Sequence, residues 1–349
     1  MFMTNEEVLT LSSLYENRKV FHGELHDHSQ SGGTSDGQRA LAEWPGMLKE
    51  KEMDFAAILD HRQIRHMYLP EWEDGLFIPG TEPGTSISDL ECENNGMHYN
   101  ILLPHRDELE KLLNEFPEYA FTGGTEGHFI YPSFTKARFG ELIDAVLARG
   151  GFFVHPHPKQ VMKSENALDY WFRDKTGIEV FYNDYDSKYT DANYPLWVEL
   201  LSLGKRVYAC AGGDYHNHAT DRALTTIYAE EKSAKAFMPH LRNGDFTCGQ
   251  CGIRMCIGNT VMGGETDFNG KRLLAAIDDF HKSVKRKDHT FRADLFFGGE
   301  RAYSFPVSCE TPNHIAIDLK NAPFCRVEVV DETENRIIAV GNPIWNTGK

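Results

Sequence analysis

The chain has 349 residues, 41% of them hydrophobic and 25% charged, a balance that suits a folded globular protein and excludes wholesale disorder. A formal net charge of −16 makes the bulk surface repel polyanions and argues against a nucleic-acid scaffold. No apolar run reaches the roughly 18 residues of a membrane helix, the first residues lack the layout of a secretory leader, and seven scattered cysteines form no disulfide framework, so the expected compartment is the reducing cytoplasm. The strand candidates are short, apolar and bounded by Gly, Pro, Asp or His: residues 55–59 (FAAIL), 75–79, 98–103, 151–154, 178–182 and 207–211. Between them, Phe139, Leu142, Ile143, Val146 and Leu147 recur at the spacing of one buried helix face, predicting a helix over 138–149 that Gly150-Gly151 ends. A second helix is predicted over 194–204, with Pro195 in its first turn, and a third over 233–243.

Strands alternating with helices imply a parallel sheet, and a barrel is favoured because polar residues follow the strands one after another. After about residue 247 the pattern becomes alternating. Residues 314–320 and 326–330 read as strands, 331–335 as a hairpin turn, and 296–305 as a hairpin with Gly298-Gly299 at its tip. Residues 271–285 read as a helix-like insert. The expected organisation is a barrel over 1–247 and a small, mainly antiparallel β domain over 248–349.

Sixteen histidines stand out, twelve of them before residue 219. His26 and His28 are two apart, so on a strand they share one face and can bind one divalent metal. His61 ends the LDHR stretch, Glu82 follows a Pro-Gly break and could bridge two cations, and His98 leads an apolar strand. His155 ends a strand, and Asp214 and His216 follow a double glycine. Each has an ordinary explanation alone, but together they crowd ionisable groups into one crevice, which is costly unless metals or hydrogen bonds satisfy them. Cys248 and Cys251 form a lone CxxC without a second half, so buried thiols are the better reading there than zinc.

These stretches, in this order over residues 20–250, resemble the polymerase and histidinol phosphatase (PHP) superfamily. The resemblance implies a distorted (β/α)7 barrel with two or three divalent ions, of zinc, manganese or iron type, and mostly phosphoesterase chemistry. Carried over by position, His26, His28, Glu82 and Asp214 would bind the first metal. Glu82, His98 and His155 would bind the second, and Asp36, His61 and His216 the third. The layout ending in residues 341–345 (GNPIW) is similar to a branch that includes carbamate-ester hydrolases. The implied activity is phosphate-ester hydrolysis by a metal-bridging hydroxide, on a phosphomonoester or small phosphodiester and possibly a nucleotide. Asp214 would accept the proton, and a metal-bound water or His157 would protonate the leaving group, His157 being alternatively a hydrogen-bonding residue behind the ligands. Arg62 and Lys159, each close to a proposed ligand in the sequence, would bind the outer phosphate oxygens, with a solvated surface charge the competing reading for Lys159. Glu179 would orient a ligand or form a salt bridge inside the barrel. The alternatives are a carboxyl or carbamate ester hydrolase on the same site, or a non-catalytic metal-binding module. The expected partner is a small phosphorylated molecule, with neither nucleic acid nor membrane.

Overall fold

The computed structural model describes residues 2–90, 96–119, 124–125, 128–129, 133–161, 164, 166–167, 172–183, 187–188 and 190–348. Seven strands lie side by side in chain order: β1 (Lys19–Asp27), β2 (Phe55–Ile58), β3 (Phe77–Thr81), β4 (Asn100–Leu102), β5 (Phe152–His155), β6 (Gly177–Tyr182) and β7 (Tyr208–Gly212). All the predicted strands of this half are present, with the second shifted by two residues. The β1–β2, β2–β3, β5–β6 and β6–β7 pairs are parallel. β4 is antiparallel to both neighbours, because the strands Gly84–Ile87 and Gly96–His98 form a hairpin before it and turn the chain back. Covered on both sides, β2, β3 and β6 are buried along their whole lengths, which explains why they read as continuous apolar runs.

The expected closed barrel is not formed, because no strand ladder joins β7 to β1. The edges meet through a single bridge between Asp27 and Tyr215. The Asp214 N–H donates to the His26 carbonyl at 2.7 Å and the His28 N–H to the Tyr215 carbonyl at 3.0 Å. Farther down, side chains replace the missing ladder. Ala209 N–H donates to Asn342 Oδ1 at 2.8 Å, and Asn342 Nδ2 donates to the Phe246 carbonyl at 3.2 Å. Ala211 N–H donates to Thr225 Oγ1 at 3.3 Å. Asn342 is fully buried, so its amide stands in for a peptide group that the sheet lacks there.

From β1 the same sheet continues through β8 (Thr225–Ala229) and β9 (Phe246–Gly249) into Arg336–Gly341, Phe324–Asp331, Phe291–Phe297 and Glu300–Val307. Both predicted hairpins of the later region are there, pairing Phe291–Phe297 with Glu300–Val307 and Phe324–Asp331 with Arg336–Gly341. The helix-like insert at 271–285 is corrected: Arg272–Asp278 is a strand inside a four-stranded sheet. Leu273, Ala275 and Ile277 face one core while Leu274 and Ala276 face another, so burial on both sides erases the period of two.

Helix Lys136–Ala148 buries the predicted face, and its first turn is capped by Thr135 Oγ1, which accepts from Arg138 N–H at 3.2 Å. The next predicted helix begins earlier, at Thr190, and Pro195 lies inside it rather than in its first turn. Helix Ala234–Asn243 ends on Gly244 at φ 72°, a left-handed position that glycine adopts without strain. Cys248, Cys251, Cys256 and Cys325 are buried free thiols.

Candidate metal centre

The C-terminal ends of the parallel strands deliver the polar residues to one rim. His26 lies in β1 and His28 just past it, Asp60 and His61 follow β2, Glu82 follows β3, His157 follows β5, and Asp214 and His216 follow β7. His98 precedes its strand, but β4 runs the other way and brings it to the same rim. Three non-glycine residues here, Arg62, His157 and Asp214, have φ values of 53°, 29° and 51°. Such left-handed conformations cost about 1–3 kcal/mol and persist only where the surroundings impose them.

Glu82 is the hub. Its fully buried Oε2 lies 3.1 Å from His26 Nε2, 3.2 Å from His28 Nε2 and 3.2 Å from His61 Nδ1, without a hydrogen bond of ordinary geometry. Oε1 lies 2.9 Å from His98 Nδ1 and 3.1 Å from His157 Nε2. His26 Nε2 and His28 Nε2 face each other at 3.3 Å, and Asp214 Oδ1 lies 3.5 Å from the first and 2.9 Å from the second. Ligand atoms about 2.1 Å from one tetrahedral ion stand about 3.4 Å apart. Four of the edges joining His26, His28, Glu82 and Asp214, at 3.1–3.5 Å, lie near that length, the His28–Asp214 edge is shorter at 2.9 Å, and the donor set fits a divalent metal.

A second set faces solvent. Asp36 Oδ1 lies 3.1 Å from His216 Nε2 and 3.6 Å from His61 Nε2, and His28 stacks between the His61 and His216 rings at 4.6 and 4.5 Å. Asp36 is the exposed member, at 52% of its side chain.

With several imidazoles around each carboxylate, the charges tune one another strongly. Burial alone would discharge His26 and His61, but the surrounding carboxylates together outweigh it: Glu82, Glu179 and Asp214 raise His26 well above the ordinary histidine range, and Glu82 with Asp36 raises His61 to about 9. Burial would likewise protonate Glu82 and Asp214, yet His26 and its neighbours hold both below the carboxylate range.

His155 does not join the cluster. Its ring packs edge-on against Phe153 and Phe172, with centroids 5.1 and 4.4 Å away, and burial pushes its pKa down to about 3. The position facing Glu82 is taken by His157, two residues later. Arg62 is buried, with its guanidinium reaching the Gly84 carbonyl at 3.5 Å. Lys159 Nζ donates to the Ser164 carbonyl. Glu179 combines the two expected roles: Oε1 lies 2.7 Å from His26 Nδ1, an orienting contact that is also an ion pair, and Oε2 accepts from the His157 N–H at 2.8 Å. A Cβ on Gly212 would sit 2.2 Å from Glu179 Oε1, so only glycine leaves room for that carboxylate.

Two residues escaped the sequence reading. Tyr182 OH donates to Asp214 Oδ2 at 2.7 Å, and burial together with Asp214 pushes its phenol up so that it remains a donor. Asp60 accepts from Ser29 N–H at 2.6 Å, from the Ser29 hydroxyl at 2.9 Å and from the Ser31 hydroxyl. Burial opposes its ionisation, but His66 and these donors bring its pKa down to about 2. The available signal was position, since Tyr182 ends β6 and Asp60 follows β2 at the rim. A cleft of about 600 Å³ opens from Asp214 and His216 between Asn183, Tyr215, Lys51 and Arg222.

No protein-family model and no curated protein matches the sequence. Among solved structures, the chain is similar to a two-domain protein from Bacteroides vulgatus containing a predicted PHP-like metal-dependent phosphoesterase. The identity is 12% and the TM-score 0.43, over 90% of this chain and 91% of that one. It is also similar to an amidohydrolase from Chromobacterium violaceum, at 15% identity and a TM-score of 0.37, over 57% of this chain and 89% of that one. A third likeness is to the lesion-specific endonuclease Q of Pyrococcus furiosus, at 12% identity and a TM-score of 0.44, over 64% of this chain and 56% of that one. Likenesses this distant leave the assignment to the side chains themselves. No helix among the described residues is long and apolar enough to cross a membrane.

Proposed function

We propose that this protein is a PHP-type metal-dependent hydrolase of phosphate esters. The reading is carried by the convergence of ligand atoms from His26, His28, Glu82 and Asp214 to within 4.8 Å of one another. These four would hold one divalent ion. Glu82, His98 and His157 would hold a second, with His157 in place of His155, and His28, Asp36, His61 and His216 would form the solvent-facing position. Bound there, divalent ions supply an activated water and Lewis-acid polarisation of the phosphoryl oxygen.

The chain's own residues do the rest. A proton on His26 Nδ1, directed to Glu179, leaves the Nε2 lone pair facing the centre. Tyr182 holds Asp214 Oδ2, which turns Oδ1 to His26 and His28 and gives Asp214 a ligand role ahead of a proton-accepting one. Held against Glu82, His157 is likewise a ligand rather than the donor to the leaving group. Arg62, buried beside His61, is assigned to the outer phosphate oxygens. The cleft at Asp214 and His216 admits a small substrate.

The test is a panel of p-nitrophenyl phosphate, bis-p-nitrophenyl phosphate, aryl carbamates and a duplex oligonucleotide, assayed with Mn²⁺ and with Zn²⁺. Turnover of the small phosphate esters is expected. Carbamate turnover without phosphate turnover would move the assignment to ester hydrolysis at a planar carbonyl, and uptake of metal with no turnover at all would make the protein a binding module.

A further inference from the structure

The two sets of ligands are held by different means. His26 and Asp214 are braced from inside the sheet by Glu179 and Tyr182. Asp36 comes from the loop after His28, which reverses at Gly32 and Gly33 with φ values of 76° and 69° and carries Asp36 half exposed into solvent. Two glycines give such a loop wide conformational freedom when nothing restrains it. The loop's far ends are tied by the Gln30 N–H to the Arg39 carbonyl at 2.7 Å and the Gln38 N–H to the His216 carbonyl at 2.5 Å, and its first turn is held by the residue next to His61. The fully buried Asp60 accepts three hydrogen bonds from Ser29 and Ser31, the first residues of the loop, and lies 3.3 Å from His66 Nδ1. Gln63 continues the same seam, donating to Ser31 Oγ at 3.0 Å and to the Gly32 carbonyl at 2.6 Å, and the Thr34 hydroxyl donates to the His61 carbonyl.

We infer that Asp60 is a positioning residue acting chiefly at the solvent-facing metal position, fixing the loop that presents Asp36 to His61 and His216; His28, which both sets share, keeps its own anchor through its N–H bond to the Tyr215 carbonyl at 3.0 Å. The inference rests on the reading that these clusters hold divalent ions. Removing the charge at residue 60 frees the loop's first turn, so that Asp36 must be ordered at the moment an ion binds. The inner ions do not bear that cost.

The experiment titrates the full chain, stripped with chelator, with Mn²⁺ alone and resolves each equivalent by calorimetry. Wild type should take up more than one equivalent. Asp60→Asn should weaken one of them by about 10–100-fold, the range for residues that orient ligands, and leave the others within twofold. Ser31→Ala, which removes one donor to Asp60 and is milder for folding, should weaken the same equivalent by a smaller factor. Equal weakening of every equivalent in Asp60→Asn, or no change in any, overturns the inference. If Asp60→Asn does not fold, unchanged binding in Ser31→Ala does so. A wild-type chain that binds no Mn²⁺ brings down the proposed function itself, a distinguishable result.

Discussion

Two regions of this molecule gather histidine and carboxylates within reach of one another, and they do opposite things with them. At the rim of the seven strands, Glu82, Asp36 and Asp214 have, among the described residues, only imidazoles for ion-pair partners. In the later β region, His289, Asp331 and Glu334 form a cluster of similar span. There, however, Glu334 lies 3.4 Å from Arg286 and 2.9 Å from Arg336, and Asp331 Oδ1 accepts the N–H groups of Thr333 and Glu334 in a hairpin turn. That carboxylate pair is already satisfied by permanent cations and backbone donors, so a metal would have to displace them. Closeness of ligand types therefore does not define a metal site. The deciding feature is whether another cation already serves the carboxylates.

The sharpest way to break this contrast is Glu82→Gln, which removes the shared oxygens at the rim. Metal content should collapse, and turnover should fall by more than the roughly 100-fold at the top of the range for residues that merely orient ligands. Full metal content in that variant would dissolve the distinction between the regions. A third kind of buried histidine bounds the comparison. His22, beside His281 and Thr226 and near Asp279, is pushed down to about 4, chiefly by burial and then by His281. Its neutral form is the folded one, so its contribution is complete above about 6.5 and is lost as pH falls towards 4. That amounts to about 3 kcal/mol. In urea unfolding, the stability lost between pH 7.5 and 4 should be greater for wild type than for His22→Gln by about that amount. Glu179→Gln should cost about 10–100-fold in metal affinity by freeing the His26 ring, with the fold intact by circular dichroism. The smallest effect belongs to His289→Ala, where metal content and turnover should match wild type; loss of an equivalent there would show that the salt-bridged cluster binds metal after all.

Much of this was legible in the residues. The strands ending at the rim announced themselves because burial on both faces made them short, unbroken apolar runs closed by Asp, His or Gly. The same property hid Arg272–Asp278, whose apolar residues lack a polar alternate and so imitate a helix. The choice between His155 and His157 could not be read from spacing. It depends on a positive φ at His157, flanked by two prolines, which swings that ring back to Glu82 while His155 sinks among aromatic rings. The roles of Tyr182 and Asp60 were not legible for a related reason, since their partners lie about 30 residues away along the chain and only the completed strand order brings them together.

The Asn342 amide that seals β7 has a consequence for biogenesis. Its bond to Ala209 spans 133 positions, and a ribosome adding about 5–20 residues per second needs roughly 7–27 seconds to cover that stretch. Throughout the interval the nascent β7 carries an unsealed edge next to the segment that will supply Asp214, a sticky template for other emerging chains. Translation pauses beyond residue 212 should therefore raise the demand for chaperones more than pauses placed before it.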